Sequence, residues 1–220
     1  MKLKIDLKAS CLHRNKQVKK QNLKINIIFN AIYQVLILIV PLITTPYIST
    51  VFTSDIIGSY SYAYSITQYF TLTADFGFTM YGATRLAKVQ GNKEQEDHVF
   101  WGIMYCKILL DVCVLLIYMS LLFGGVFYDT DYPLNNELIY LGFSLSIITY
   151  LFDTTFLFQG KEKFVSLCVR NLFVKTLSTI LIFIFVKDGE DYLVYVLIMS
   201  LSVFLTGFIT FVSAPFIIGK

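Results

Sequence analysis

The chain has 220 residues, 56% of them hydrophobic and 15% charged, with a formal net charge of +3 and a mean hydropathy of +0.66. Soluble domains use roughly 45–50% apolar residues, so these values exclude an ordinary water-soluble domain and point to an integral membrane protein. Nucleic acid is not among the expected partners; membrane lipid is.

Residues 1–24 form a basic tail, expected to be cytoplasmic, with eight Lys and Arg residues against one acid, Asp6. Positive charge before a first span holds the N-terminus inside, and the same patch is able to attract anionic lipid. The apolar run that follows is longer than the ~7–15 residues of a signal peptide and no small-residue cleavage site closes it, so it reads as an uncleaved span.

That first segment, Ile25 to Ser54, carries no charge. As a helix rising ~1.5 Å per residue it is long enough to cross a ~30 Å hydrocarbon core. Pro41 and Pro46 each remove a backbone N–H and crowd the carbonyl one turn back, which predicts a bend or break. Asn26, Asn30 and Gln34 recur every four residues, giving one polar face.

Five further apolar segments follow: Ile56–Thr84, Val99–Tyr128, Leu138–Gly160, Phe164–Val186 and Tyr192–Ile218. Helices satisfy every backbone group internally, and the alternating ten-residue stretches of a membrane barrel are missing. The predicted fold is therefore all-α, a polytopic bundle of six transmembrane helices over residues 25–220. Arg85, Lys88 and Lys93 lie between segments two and three, and Lys161 and Lys163 between four and five. The alternate loops, Thr53–Asp55, Asp129–Glu137 and Lys187–Asp191, are acidic or nearly free of positive charge. This alternation predicts that both ends are cytoplasmic. Aromatic residues near the boundaries, among them Tyr60, Tyr62, Phe127, Tyr128, Tyr132 and Tyr140, read as interfacial anchors.

No disulfide, metal site or cofactor is expected. Cys11, Cys106, Cys113 and Cys168 make no C-x-x-C pair, and His13 and His98 lack zinc-type spacing.

Ionisable residues inside spans are the informative ones, because each costs several kcal/mol unless paired or hydrated. The acids are Asp75, Asp111 and Asp153; the bases are Lys107, Arg170 and Lys175. Lys107 and Asp111 are one helical turn apart, close enough to neutralise each other. Arg170 and Asp153 lie near span ends, within snorkelling reach of the interface. Hydroxyl stripes accompany the charges: Ser61, Ser65, Thr71 and Thr79 with Asp75, and Ser202, Thr206, Thr210 and Ser213 in the last segment. Such stripes glue helices together or line a wet cavity.

The strings FNAIYQVLILIVPLITTPYIS, IGSYSYAYSITQYF, ADFGFTMYGATRLAKVQGNKEQ and VFWGIMYCK, in this order, resemble the N-terminal part of bacterial polysaccharide-repeat flippases. That family belongs to the superfamily shared with multidrug antiporters and the lipid II flippase. The resemblance spans Asn22 to about Lys107, and the later segments match by topology. It implies a non-enzymatic carrier in the bacterial cytoplasmic membrane. Its substrate would be an undecaprenyl-diphosphate-linked oligosaccharide for capsule, O-antigen or exopolysaccharide, moved by alternating access. It also implies a cationic cavity, for which Lys107, Arg170 and Lys175 are the candidates. Asp75, Asp111 and Asp153 would be charge partners or ion-coupling groups.

Two departures stand out. The family's usual S-R-V-L-G after P-Y-I is here Ser49-Thr50-Val51-Phe52-Thr53, and the chain stops at Lys220, where a second lobe would begin. A fragment, an inactive remnant, or half of a carrier completed by a second lobe or a second copy are the readings this leaves. A drug antiporter lobe is the alternative within transport. A glycan polymerase or ligase would need an acid–base constellation on a large outer loop, which Asp129–Glu137 does not offer.

Overall fold

The computed structural model describes residues 28, 31, 35, 38–127 and 137–218, and these are helical with no strand among them. The basic tail, the polar face at Asn26, Asn30 and Gln34, and most of the Asp129–Glu137 loop lie outside the described residues. The helices are α1 (Leu38–Val51), α2 (Ser54–Asp75), α3 (Phe78–Val89), α4 (Lys93–Phe123), α5 (Glu137–Phe152), α6 (Thr155–Gly160), α7 (Phe164–Phe185) and α8 (Tyr192–Ser213). Short 3-10 turns, Gly189–Asp191 and Ala214–Phe216, flank α8.

Among the described residues, three stretches are long and apolar enough to cross a membrane: Lys93–Phe123, Phe164–Phe185 and Gly189–Phe216. At ~1.5 Å per residue the 31 residues of α4 exceed a ~30 Å core, so its ends stand in or beyond the headgroups. α4 starts cleanly because the Asn92 side chain accepts the Gln95 N–H at 3.3 Å, and Glu94 and Glu96 favour the positive end of its dipole.

The other apolar segments depart from the sequence expectation. The second is not one span: Phe76 (φ 39°) and Gly77 (φ 78°) adopt left-handed backbone between α2 and α3. Gly77 does so without a Cβ clash, whereas Phe76 is strained by about 1–2 kcal/mol. The fourth breaks between α5 and α6, where Asp153 Oδ1 accepts the Thr155 N–H at 3.0 Å. Conversely, α1 stays helical through Pro41 and Pro46, so the break expected there does not occur. Hydroxyls bond back onto the same helix: Thr44 Oγ1 donates to Val40 O at 3.1 Å, Ser49 Oγ to Thr45 O at 2.9 Å, and Thr50 Oγ1 to Tyr47 O at 2.7 Å.

α5 is the central element, packed by α2, α4 and α8, while α3 packs on α6 and α7 on α8. Small residues permit the tightest crossings. A Cβ at Gly207 of α8 would lie 2.5 Å from Thr149 Cγ2 and 3.0 Å from Thr149 O of α5. One at Gly160 would lie 2.9 Å from Ala83 O of α3. The interior is mainly apolar, with Phe143, Ile147, Phe156 and Leu157 in it. Lys107, Asp111, Ser59, Thr67, Thr71, Ser178, Ser200, Ser202 and Thr210 are buried among such residues, while Leu72, Leu109, Leu116, Phe123 and Phe173 are exposed. An outer surface so rich in large apolar side chains suits a hydrocarbon solvent.

Several residues read as interfacial anchors are interior instead. Tyr140 and Phe127 are buried; the Tyr140 hydroxyl donates to Phe127 O at 3.1 Å and that of Tyr118 to Tyr140 O at 2.9 Å. Lys161, read as a topology charge, is also largely buried. Its ammonium bonds Glu96 Oε2 at 2.7 Å and Ile217 O at 2.7 Å, while Glu96 Oε1 accepts the Gly91 N–H at 2.9 Å. Gln90 Nε2 donates to Gly160 O at 2.7 Å beside them. These contacts fasten the α3–α4 and α6–α7 connections to the end of α8.

Candidate functional site

The six ionisable residues expected inside the spans divide into two sets. The first gathers where α4 passes the α5–α6 junction. Lys107 is fully buried, and its ammonium donates to Asp153 O at 2.7 Å and to Asp153 Oδ2 at 3.3 Å. It also lies 5.7 Å from the centre of the Tyr150 ring and 5.9 Å from that of Phe156. The anticipated Lys107–Asp111 neutralisation is therefore not the pairing adopted. The junction offers a backbone carbonyl and a carboxylate together, two charge-assisted acceptors where Asp111 offers only one group.

Asp153 spends its other oxygen on Thr155, the first residue of α6, accepting from both its N–H and its hydroxyl. Asp111 is fully buried, and neither of its oxygens has a hydrogen-bond partner among the described residues. Asp75, at the end of α2, accepts from Thr79 Oγ1 at 2.6 Å. Asp75, Asp111 and Asp153 all lie within electrostatic range of the Tyr150 hydroxyl. The three carboxylates share one tyrosine as a neighbour, and two of them, Asp111 and Asp153, share Lys107.

The second set does not join them. Arg170 of α7 lies flat over Phe158, with its guanidinium carbon 4.1 Å from the ring centre, and donates to Ser166 O at 3.1 Å and Ile209 O at 3.4 Å. It ties α7 to α6 and α8, while its Nη2 has no hydrogen-bond partner among the described residues. Lys175, one and a half turns further along α7, lines a cavity of about 370 Å³ between α1, α2, α7 and α8. Pro41, Thr44, Tyr60, Tyr64, Ser178 and Tyr195 share that lining. The Lys175 ammonium has no ion-pair partner among the described residues.

Of the three basic candidates, one therefore faces a cavity, one is held by a carboxylate and one is stacked on a ring. The cavity's tyrosines were not anticipated. Tyr60 packs against Tyr64, Phe143 and Tyr195, with centroids 6.0, 5.6 and 5.1 Å away. Their signal was present: Tyr60 and Tyr64 are one turn apart beside the Ser61 and Ser65 stripe, the spacing that gives a helix a single face. A second, more open groove of about 800 Å³ runs past Asp75, Thr79, Thr84, Lys88, Gln159 and Phe164.

The cavity can do two things chemically. A partnerless ammonium attracts phosphate or carboxylate, and hydroxyls beside aromatic rings suit the polar and apolar faces of a sugar. No hydroxyl in its lining is paired with an acid and a base in the manner of a nucleophile.

Among known proteins, the family described as "Polysaccharide biosynthesis protein" matches residues 23–217. An Escherichia coli (strain K12) protein named "Putative O-antigen transporter" is 25% identical over 190 residues, covering 86% of this chain and 45% of the relative. The chain thus spans less than half the length of that curated relative. No solved structure matches it.

Proposed function

The chain belongs to the polysaccharide biosynthesis protein family, and from that premise we propose that it forms one lobe of a flippase for lipid-linked oligosaccharide. The lobe has six spans with both ends cytoplasmic, in the bacterial cytoplasmic membrane. Undecaprenyl-diphosphate-linked repeat units pass by alternating access between this lobe and a second one, supplied by further sequence or another copy.

The observation that carries the reading is Lys175, a cation without an ion-pair partner among the described residues, in a cavity lined by hydroxyls and tyrosines. A diphosphate or acidic sugar supplies the anion it lacks. The relative's name supports transport rather than catalysis, and the described cavity brings together no acid–base pair. Lys107 and Arg170, committed to Asp153 and Phe158, support the lobe's architecture in this scheme and leave direct substrate contact to Lys175.

Complementation of cells lacking their own polysaccharide flippase tests the proposal. The chain is expressed alone and together with the part of its E. coli relative that it does not match. Surface polymer in either case, lost on substitution of Lys175, supports the reading. Membrane-inserted protein that restores no polymer in both cases overturns it.

A further inference from the structure

Asp111 has none of its side chain exposed, and both carboxylate oxygens lack a hydrogen-bond partner among the described residues. The groups that face it come from two helices. On α4 itself Lys107 lies one turn back, and α5 presents the Leu151 backbone and Tyr150; Asp153 at the junction and Asp75 and Tyr64 of α2 face Tyr150 in turn. The single cation among these groups is Lys107, and it is already bound to Asp153 O at 2.7 Å and Asp153 Oδ2 at 3.3 Å. An ionised carboxylate left bare in such a place is several kcal/mol unfavourable, whereas the neutral acid escapes that penalty.

We infer that Asp111 carries a proton at neutral pH, and that Lys107 changes partner from Asp153 to Asp111 when that proton leaves. The proton arrives from water onto one carboxylate oxygen and makes the group neutral. Its departure restores the anion. Lys107 is placed four residues away on the same helix, a spacing at which opposite charges meet, so the ammonium follows the new charge. In doing so it releases the carbonyl and carboxylate of Asp153, whose other oxygen holds Thr155 at the start of α6. Protonation of one buried acid is thereby coupled to the geometry of the α5–α6 junction. The inference concerns the interior of the lobe and does not rest on which molecule is carried.

The test is the infrared carbonyl absorption of a protonated carboxyl, recorded on the full chain reconstituted in lipid at neutral pH. The band is expected in the wild type and absent from Asp111→Asn. In Asp153→Asn, where Lys107 is free for Asp111, the band moves to lower pH. No such band in the wild type overturns the proposal, as does a band that survives in Asp111→Asn. An unmoved band in Asp153→Asn overturns the change of partner. Sodium added at constant pH leaves the band in place; its loss would mean that the site takes a metal cation in place of the proton. If Asp111→Asn does not fold, Asp111→Glu assigns the band: a shifted frequency supports the proposal and an unshifted one overturns it.

Discussion

Replacing Lys175 with alanine removes a cation that holds no ion-pair partner among the described residues, so the lobe keeps its packing while its cavity loses its charge. With a charge-assisted contact contributing about 1.5–3 kcal/mol, we expect transport to fall by about tenfold or more. Membrane insertion and thermal stability in detergent stay near wild type; unchanged export would remove Lys175 from the substrate path. Glu96 is the opposite case. Glu96→Ala strands the Lys161 ammonium, whose side chain is only 6% exposed, and breaking such a pair costs about 3–5 kcal/mol. Detergent melting curves are expected to show that loss for Glu96→Ala, with much of it recovered in Glu96→Gln combined with Lys161→Met. The charges themselves were legible in the sequence, but their partners were not. Helical spacing places Asp111 within reach of Lys107, yet it says nothing of the Asp153 carbonyl, 46 residues away, that outcompetes it.

At the scale of elements, the apolar segments follow from hydropathy alone, because a run without charge has one low-energy environment. Their interruptions do not follow so simply. Proline was the obvious signal, and α1 runs through two of them unbroken. The breaks that do occur lie at Phe76-Gly77 and Asp153-Thr154-Thr155. The second has the composition of a helix N-terminus and was readable as one; the first depends on a phenylalanine in a left-handed conformation that no pattern announces. Close crossings were equally hidden, since a glycine in a span looks the same wherever it faces. Gly207→Ala pushes a methyl against Thr149, including its backbone carbonyl. Overpacking of that kind costs about 1–3 kcal/mol. Gly102, with nothing within 4 Å of its would-be Cβ, is the control. Gly102→Ala is expected to be neutral or slightly stabilising in the same melting assay, and equal effects at both positions would contradict the α5–α8 contact.

For the whole molecule, orientation is carried by loop charge and is open to direct measurement. In a background with its native cysteines replaced, single cysteines at Lys93 and Lys163 are expected to resist an impermeant thiol reagent until the cells are opened. One at Asp188 reacts in intact cells. Labelling at Lys93 from outside would reverse the assigned topology. The two interrupted segments have a further mechanical consequence. α2 packs on α5 and α3 packs on α6, so the lobe is built in two storeys, with α4 running through both as a pillar. Only short seams at residues 76–77 and 153–154 join the storeys within the interrupted segments. Those seams are where the structure should give first. Pulled along the membrane normal by a single-molecule probe, the chain is expected to yield in two steps that divide at the seams. A single step would mean that the pillar, rather than the floors, sets its strength.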